Sequence, residues 1–234
     1  MVSYEVPFGL SIVGVLMMCG SLDLVKIVTY QERNIWNVVP QLVAAFIFLV
    51  AMNAENNRTP FDLPEAESEL VAGYHTEYSA MKFAFFMLSE YSMMIVNSCL
   101  MVSLFFGGWT LGGVINGHQI GLTNTVLRNW GWAGGLLGTL IFVTKVMVFM
   151  MLYIWYRATF PRFRFDQLMD LGWKWLIPLA LGNIVVTGIL ILAHAEWLLS
   201  VFGGVVIIGS IVLLARGGKK APRVAMHASR ISEA

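Results

Sequence analysis

Apolar residues run through this chain of 234 residues in long unbroken blocks. They follow neither the alternation of a half-buried strand nor the narrow stripe of a surface helix. Six blocks stand out, over about residues 6–22, 35–52, 80–106, 132–156, 171–193 and 197–215. A helix needs about 20 apolar residues to cross the hydrocarbon of a bilayer. The first block, at 17 residues, is just long enough. Lipid offers backbone N–H and C=O groups no partner, so a spanning segment must satisfy its own hydrogen bonds. The pattern therefore predicts six transmembrane helices in a membrane domain over 1–215, followed by a basic polar tail over 216–234. Pro40 falls in the first turns of the second block, where proline is tolerated, and Pro178 predicts a kink in the fifth. Between the blocks lie a short charged loop (Asp23, Lys26, Glu32, Arg33), an acidic loop over 53–79, and a glycine-rich stretch over 107–131. A basic loop over 157–170 and a short turn at 194–196 complete the connections. No internal repeat or second domain is visible.

Composition turns this pattern into a fold class. The chain is 58% hydrophobic and 12% charged, with a mean hydropathy of +0.72. A soluble domain carries about 25% charged residues, so this chain cannot cover a soluble surface. The expected fold is all-α and polytopic, because a membrane barrel would show short alternating segments. No basic n-region precedes the first block, which reads as a span rather than a signal peptide. A net charge of +1, with no basic and aromatic patch, gives no footing for nucleic acid. Cys19 and Cys99 lie inside apolar blocks and read as small packed hydrophobes. His75, His118, His194 and His227 show no metal-ligand spacing, and no CxxC, GxGxxG or P-loop occurs. Any redox metal or flavin belongs to another subunit.

The chemistry is concentrated in one connection. Of 14 acidic residues, Glu55, Asp62, Glu65, Glu67, Glu69 and Glu77 lie between residues 54 and 78, and Glu90 follows. Pro60 and Pro64 break any continuing helix. Asp62 to Glu65 reads as a capping box opening a short helix over about 63–72 that ends at Gly73. On it Glu65 and Glu69 share a face. The plain reading of a charge run is a solvated face. Three features oppose it here: interleaved Pro, Phe, Leu and Val; a place on the side where lysine and arginine are expected; and two further acids, Glu5 and Glu90, opening toward that side. Crowded carboxylates raise one another's proton affinity, and such a set can hold and pass protons near neutral pH. An Arg58–Asp62 pair would brace the loop.

Glu90 lies ten residues beyond Ala80, roughly 15 Å into its helix. Lys145 falls near the middle of the fourth block. An ionisable group inside a bilayer is a functional candidate by default. For Lys145 the alternative is pairing with a buried carboxylate that merely holds two helices together. Trp109, Trp130 and Trp132 read as an interfacial belt. In the basic loop, Arg157, Arg162 and Arg164 read as positive-inside anchors, with docking to an acidic partner or closure over the acidic loop as the sharper alternative. Six spans put 11 of the 15 basic residues on the side holding the acidic loop, the basic loop and the tail, and 3 on the other. That side is therefore expected to be cytoplasm, or matrix in a mitochondrion.

The stretch ENNRTPFDLPEAESELVAGYHTEY, Glu55 to Tyr78, resembles the signature loop of the H-type (ND1-type) membrane subunit of respiratory complex I, the proton-translocating NADH:quinone oxidoreductase. Ser3-Tyr4-Glu5 is similar to that family's SYE at a helix entrance, and RATFPRFRFDQLM, Arg157 to Met169, to its basic loop. The resemblance covers about residues 1–193. It implies a membrane subunit of an enzyme complex with no redox centre in this chain and no catalytic side chain of its own. Quinone (ubiquinone or menaquinone) would be the bound substrate, reduced by groups of the docked peripheral arm. The resemblance makes Glu5, Glu55, Glu65, Glu67, Glu69 and Glu90 proton-path carboxylates. It makes Arg58, Asp62, Glu77, Tyr78, Arg162, Arg164 and Asp166 shapers of the quinone chamber and arm interface. The implied partners are the peripheral-arm subunits of the quinone site, small and antiporter-like membrane subunits, and lipid. The family begins with about three more helices, so the chain reads as its C-terminal two-thirds. Either a separate polypeptide carries those helices, as a further implied partner, or the start falls at an internal methionine of a longer chain. The implied location is a bacterial plasma membrane or mitochondrial inner membrane.

Two other functions fit parts of the sequence. A related membrane-bound hydrogenase uses a similar anchor subunit without quinone, but its relatives diverge over PFDLPEAESELVAGY. An autonomous proton or ion transporter would show repeats or paired broken helices, and neither is seen.

Overall fold

The computed structural model describes residues 2–56, 60–61, 80–115, 118–120, 129–161, 163–193, 198–199, 201 and 203–205. Among the described residues, four helices are long and apolar enough to cross a bilayer: Val2–Cys19, Ala80–Phe105, Trp132–Thr159 and Phe165–Leu192. A shorter apolar helix covers Leu42–Glu55. The chain is an all-α, polytopic membrane protein. The sixth expected span, over 197–215, lies largely outside the described residues.

Helix α1 (Val2–Cys19) packs against α3 (Leu42–Glu55) and α7 (Ile177–Leu192). Pro7 has no N–H to give the Ser3 carbonyl four residues back. The backbone at Ser3 instead meets Gly172 so closely that a Cβ there would lie 2.8 Å from the Ser3 oxygen. Only glycine allows this approach.

The charged stretch expected as a loop contains a helix, α2 (Leu24–Arg33). Asp23 caps it, accepting from the Val25 N–H at 3.0 Å. Ile27, Val28 and Gln31 form its buried face, so the stretch is amphipathic rather than simply polar. The next helix starts at Leu42, later than the apolar pattern suggested. Pro40 lies in the turns ahead of it, and Gln41 takes the N-cap position.

Helix α4 (Met81–Phe105) and helix α5 (Trp132–Thr159) pack together, and α4 also meets α2 and α3. Phe8, Phe48 and Phe105 join α1, α3 and α4 in one aromatic row, with ring centroids 4.7 and 5.5 Å apart. Gly107 and Gly108 end α4 with φ of +70° and +54°. A Cβ on Gly108 would fall 2.7 Å from a Val28 methyl, so α2 sits directly on this turn. In the glycine-rich stretch beyond, Gly113–Ile115 (β1) and His118–Ile120 (β2) pair as a short antiparallel ribbon. Two strands of three residues leave the all-α class unchanged.

Helix α6 (Phe165–Asp170) runs through a π-helical turn, Leu171–Leu176, into α7. Pro178 sits in the first turn of α7. The wider turn absorbs the disturbance expected of that proline, with the Ile177 N–H reaching back to the Gly172 carbonyl.

Candidate functional site

The N-terminus of α1 and the C-terminus of α3 lie side by side, and they bring two expected acids together. Glu5 and Glu55 are close enough to repel one another, and the Tyr4 ring lies beside both. Glu5 is exposed at this mouth and Glu55 is half-buried. Beneath them Tyr4, Ala54, Phe61 and Leu168 form a small apolar floor, each at most 8% exposed. The floor is shared by α1, α3, α6 and the first residues of the acidic loop.

The basic loop closes on that mouth. The Phe163 N–H donates to the Pro60 carbonyl at 2.9 Å, and the Phe163 and Phe61 rings stack with centroids 5.4 Å apart. Composition alone favoured ordinary anchoring for this loop, yet its backbone and one ring are tied to the start of the acidic loop. Arg164 and Asp166 are exposed beside the clasp, and the Arg164 N–H is held by the Gln167 side chain at 3.1 Å. Arg162 lies outside the described residues. So do Arg58, Asp62, Glu65, Glu67, Glu69, Glu77 and Tyr78, together with the capping box and short helix expected over 62–73.

Glu90 is half-buried on α4, with its Oε2 closed off from solvent. Its face of the helix continues through buried Met94, Asn97 and Met101. Lys145 stands elsewhere, and its hydrogen bonds among the described residues go to backbone carbonyls. Its Nζ donates to the carbonyls of Phe106 (2.6 Å), Gly108 (3.0 Å) and Thr110 (2.6 Å). Its charge also lies 4.8 Å from the centre of the Trp36 ring. An ammonium has three donors, and three carbonyls at the negative end of α4 take all of them. Along α4 this point is roughly 24 Å from Glu90.

The family model described as NADH dehydrogenase matches residues 1–188. The chain belongs to the NADH dehydrogenase family. Its relatives include an H-type subunit of NADH-quinone oxidoreductase from Cytophaga hutchinsonii, 47% identical over 192 residues, which are 82% of this chain and 53% of the relative. The corresponding NADH-quinone oxidoreductase subunits of Flavobacterium psychrophilum and Bacillus cytotoxicus are similar at 48% and 46% identity, covering 82% and 81% of this chain and 54% and 51% of their own. The chain thus spans about half the length of the curated relatives it matches.

Two features of this NADH dehydrogenase family member escaped the sequence reading. Phe163 was passed over because a phenylalanine among arginines carries no charge signal; the PRFRF alternation around it was the available clue. Asn56, at the start of the acidic loop, and Asn97 and Tyr153, isolated in apolar blocks, give no pattern until three helices bring them together.

Proposed function

We propose that the chain is part of the membrane subunit of a proton-translocating NADH:quinone oxidoreductase. In this reading it lines the quinone chamber, receives the peripheral redox arm and begins the proton path. The observation that carries the reading is the mouth itself, where the α1 end bearing Glu5 and the α3 end bearing Glu55 share one apolar floor, and Phe163 is tied to the start of the acidic loop. Neighbouring carboxylates at one mouth are groups between which a proton can pass. A change of charge in the adjoining chamber would then shift that proton. Glu65, Glu67 and Glu69 would extend the set along the acidic loop, and Glu90 would receive protons deeper in α4. Arg164 and Asp166, exposed next to the clasp, would meet the docked arm, with Arg162. Arg58, Asp62, Glu77 and Tyr78 would shape the chamber wall. Quinone is the substrate, and electron transfer to it belongs to groups of the arm.

The acidic loop, basic loop and tail would face the cytoplasm or matrix, in a bacterial plasma membrane or mitochondrial inner membrane. The partners are the remaining subunits of the complex. The test is coupled quinone reduction by the assembled complex in native membranes. Glu5→Gln, Glu55→Gln and the double change Glu65→Gln with Glu69→Gln should each lower it about tenfold or more. NADH oxidation by a soluble electron acceptor should stay intact. If the double variant leaves coupled reduction untouched, the proton-path reading fails. Proton transport by the purified chain alone in liposomes would favour an autonomous transporter instead.

A further inference from the structure

Three buried polar side chains from three helices meet just inside the acidic mouth. Asn97 of α4 donates through Nδ2 to Asn56 Oδ1 at 3.0 Å, and Asn56 Nδ2 donates to Tyr153 Oη of α5 at 2.7 Å. Asn56 and Asn97 are 3% exposed and Tyr153 is 4% exposed. Beside them on α4 the Ser98 hydroxyl donates to the Met94 carbonyl at 2.7 Å. The row therefore starts on α4, crosses to the end of α3 and ends on α5.

Its position matters more than its existence. Asn56 directly follows Glu55, and Asn97 lies two turns beyond Glu90 on one face of α4. Leucine or methionine at these places would hold three helices together at least as well, since buried polar groups only break even when fully bonded. Hydrogen bonds add direction: each works at one separation and one angle. The row thus ties the residue beside one carboxylate to the helix that carries the other. We infer that Asn56, Asn97 and Tyr153 are positioning residues that hold Glu55 and Glu90 in the fixed relation proton transfer between them requires. The inference rests on the proton-path reading above.

The experiment uses the assembled complex in native membranes. Tyr153→Phe removes one oxygen and keeps the ring. Asn97→Leu removes the amide, and Asn97→Gln keeps one. The readouts are kcat and quinone KM for coupled reduction, and the solvent deuterium isotope effect on kcat. Soluble-acceptor activity reports assembly. Tyr153→Phe and Asn97→Leu should lower kcat about tenfold, the scale of one buried hydrogen bond. The KM should stay unchanged and the isotope effect should rise, because misplaced carboxylates slow the proton step. Asn97→Gln should recover part of the rate. Unchanged kcat in Tyr153→Phe overturns the inference, and so does a fall in kcat with an unchanged isotope effect, which marks the row as cohesion alone. If Asn97→Leu does not assemble, Tyr153→Phe decides. Glu55→Gln and Glu90→Gln run in parallel. If they abolish coupling while Tyr153→Phe behaves as the parent, only the positioning inference falls. If they leave coupling intact, the proton path falls and takes this inference with it.

Discussion

Two polar regions of this protein use the same bundle for opposite ends. At the C-terminus of α4, donors meet acceptors. Gln31, fully buried, gives its amide N–H to the Ser103 carbonyl at 2.9 Å and accepts from the Asn37 and Gly107 N–H groups at 3.2 and 3.0 Å. Lys145 spends its three donors on three carbonyls there. At the acidic mouth, Glu5 and Glu55 are both acceptors when ionised, and they oppose one another. Cohesion is served by the first arrangement and resisted by the second. Charge beside an apolar bundle is therefore no single signal in a membrane protein. A cation on carbonyls fastens helices, whereas neighbouring carboxylates do not, and suit the proton transfer proposed above.

Substitutions should separate the two regions, from large effects on stability to small ones. Lys145→Met leaves three carbonyls without their donor and should cost about 3 kcal/mol or more. The measurement is thermal unfolding or subunit retention in the purified complex. A parent-like value would put Lys145 with the carboxylates as a group kept for transfer. Gln31→Leu should follow at about 2 kcal/mol, since it strands the Ser103 carbonyl and two N–H groups. Gly108→Ala should cost about 1–2 kcal/mol, from its positive φ and the Val28 methyl in the way; the same unfolding assay ranks it. Glu5→Gln should come last, within about 0.5 kcal/mol of the parent in stability, while cutting coupled quinone reduction most. A stability loss at Glu5 equal to that at Gln31 would erase the contrast.

Much of the fold was legible because lipid leaves the backbone few options. Long apolar blocks must become helices, and α1, α4 and α5 follow from that. Helix α2 was missed because its apolar residues come in a stripe between charges, which reads as a polar loop until its buried face finds α4. Among the site residues, Glu5 and Glu55 drew attention by charge in an apolar chain. Lys145 drew it for the same reason, and its three carbonyl acceptors could not be read from the sequence. Sequence shows that a charge is buried in a span, but its partner lies on another helix, at a distance in the chain that no spacing rule covers.

The sequence by itself determined the fold class, through the physics of an unhydrated backbone, and marked where charge is out of place. Tertiary structure alone decided what each charge meets. It set Lys145 on the carbonyl end of α4, because the turn at Gly107 and Gly108 exposes those oxygens toward α5. It set Glu55 against Glu5, because α1 and α3 pack side by side with the acidic ends of both at the same edge. It brought Asn56, Asn97 and Tyr153 within hydrogen-bonding distance although they lie 41 and 97 residues apart. Local pattern reports the solvent a segment needs, and only packing reports its neighbours.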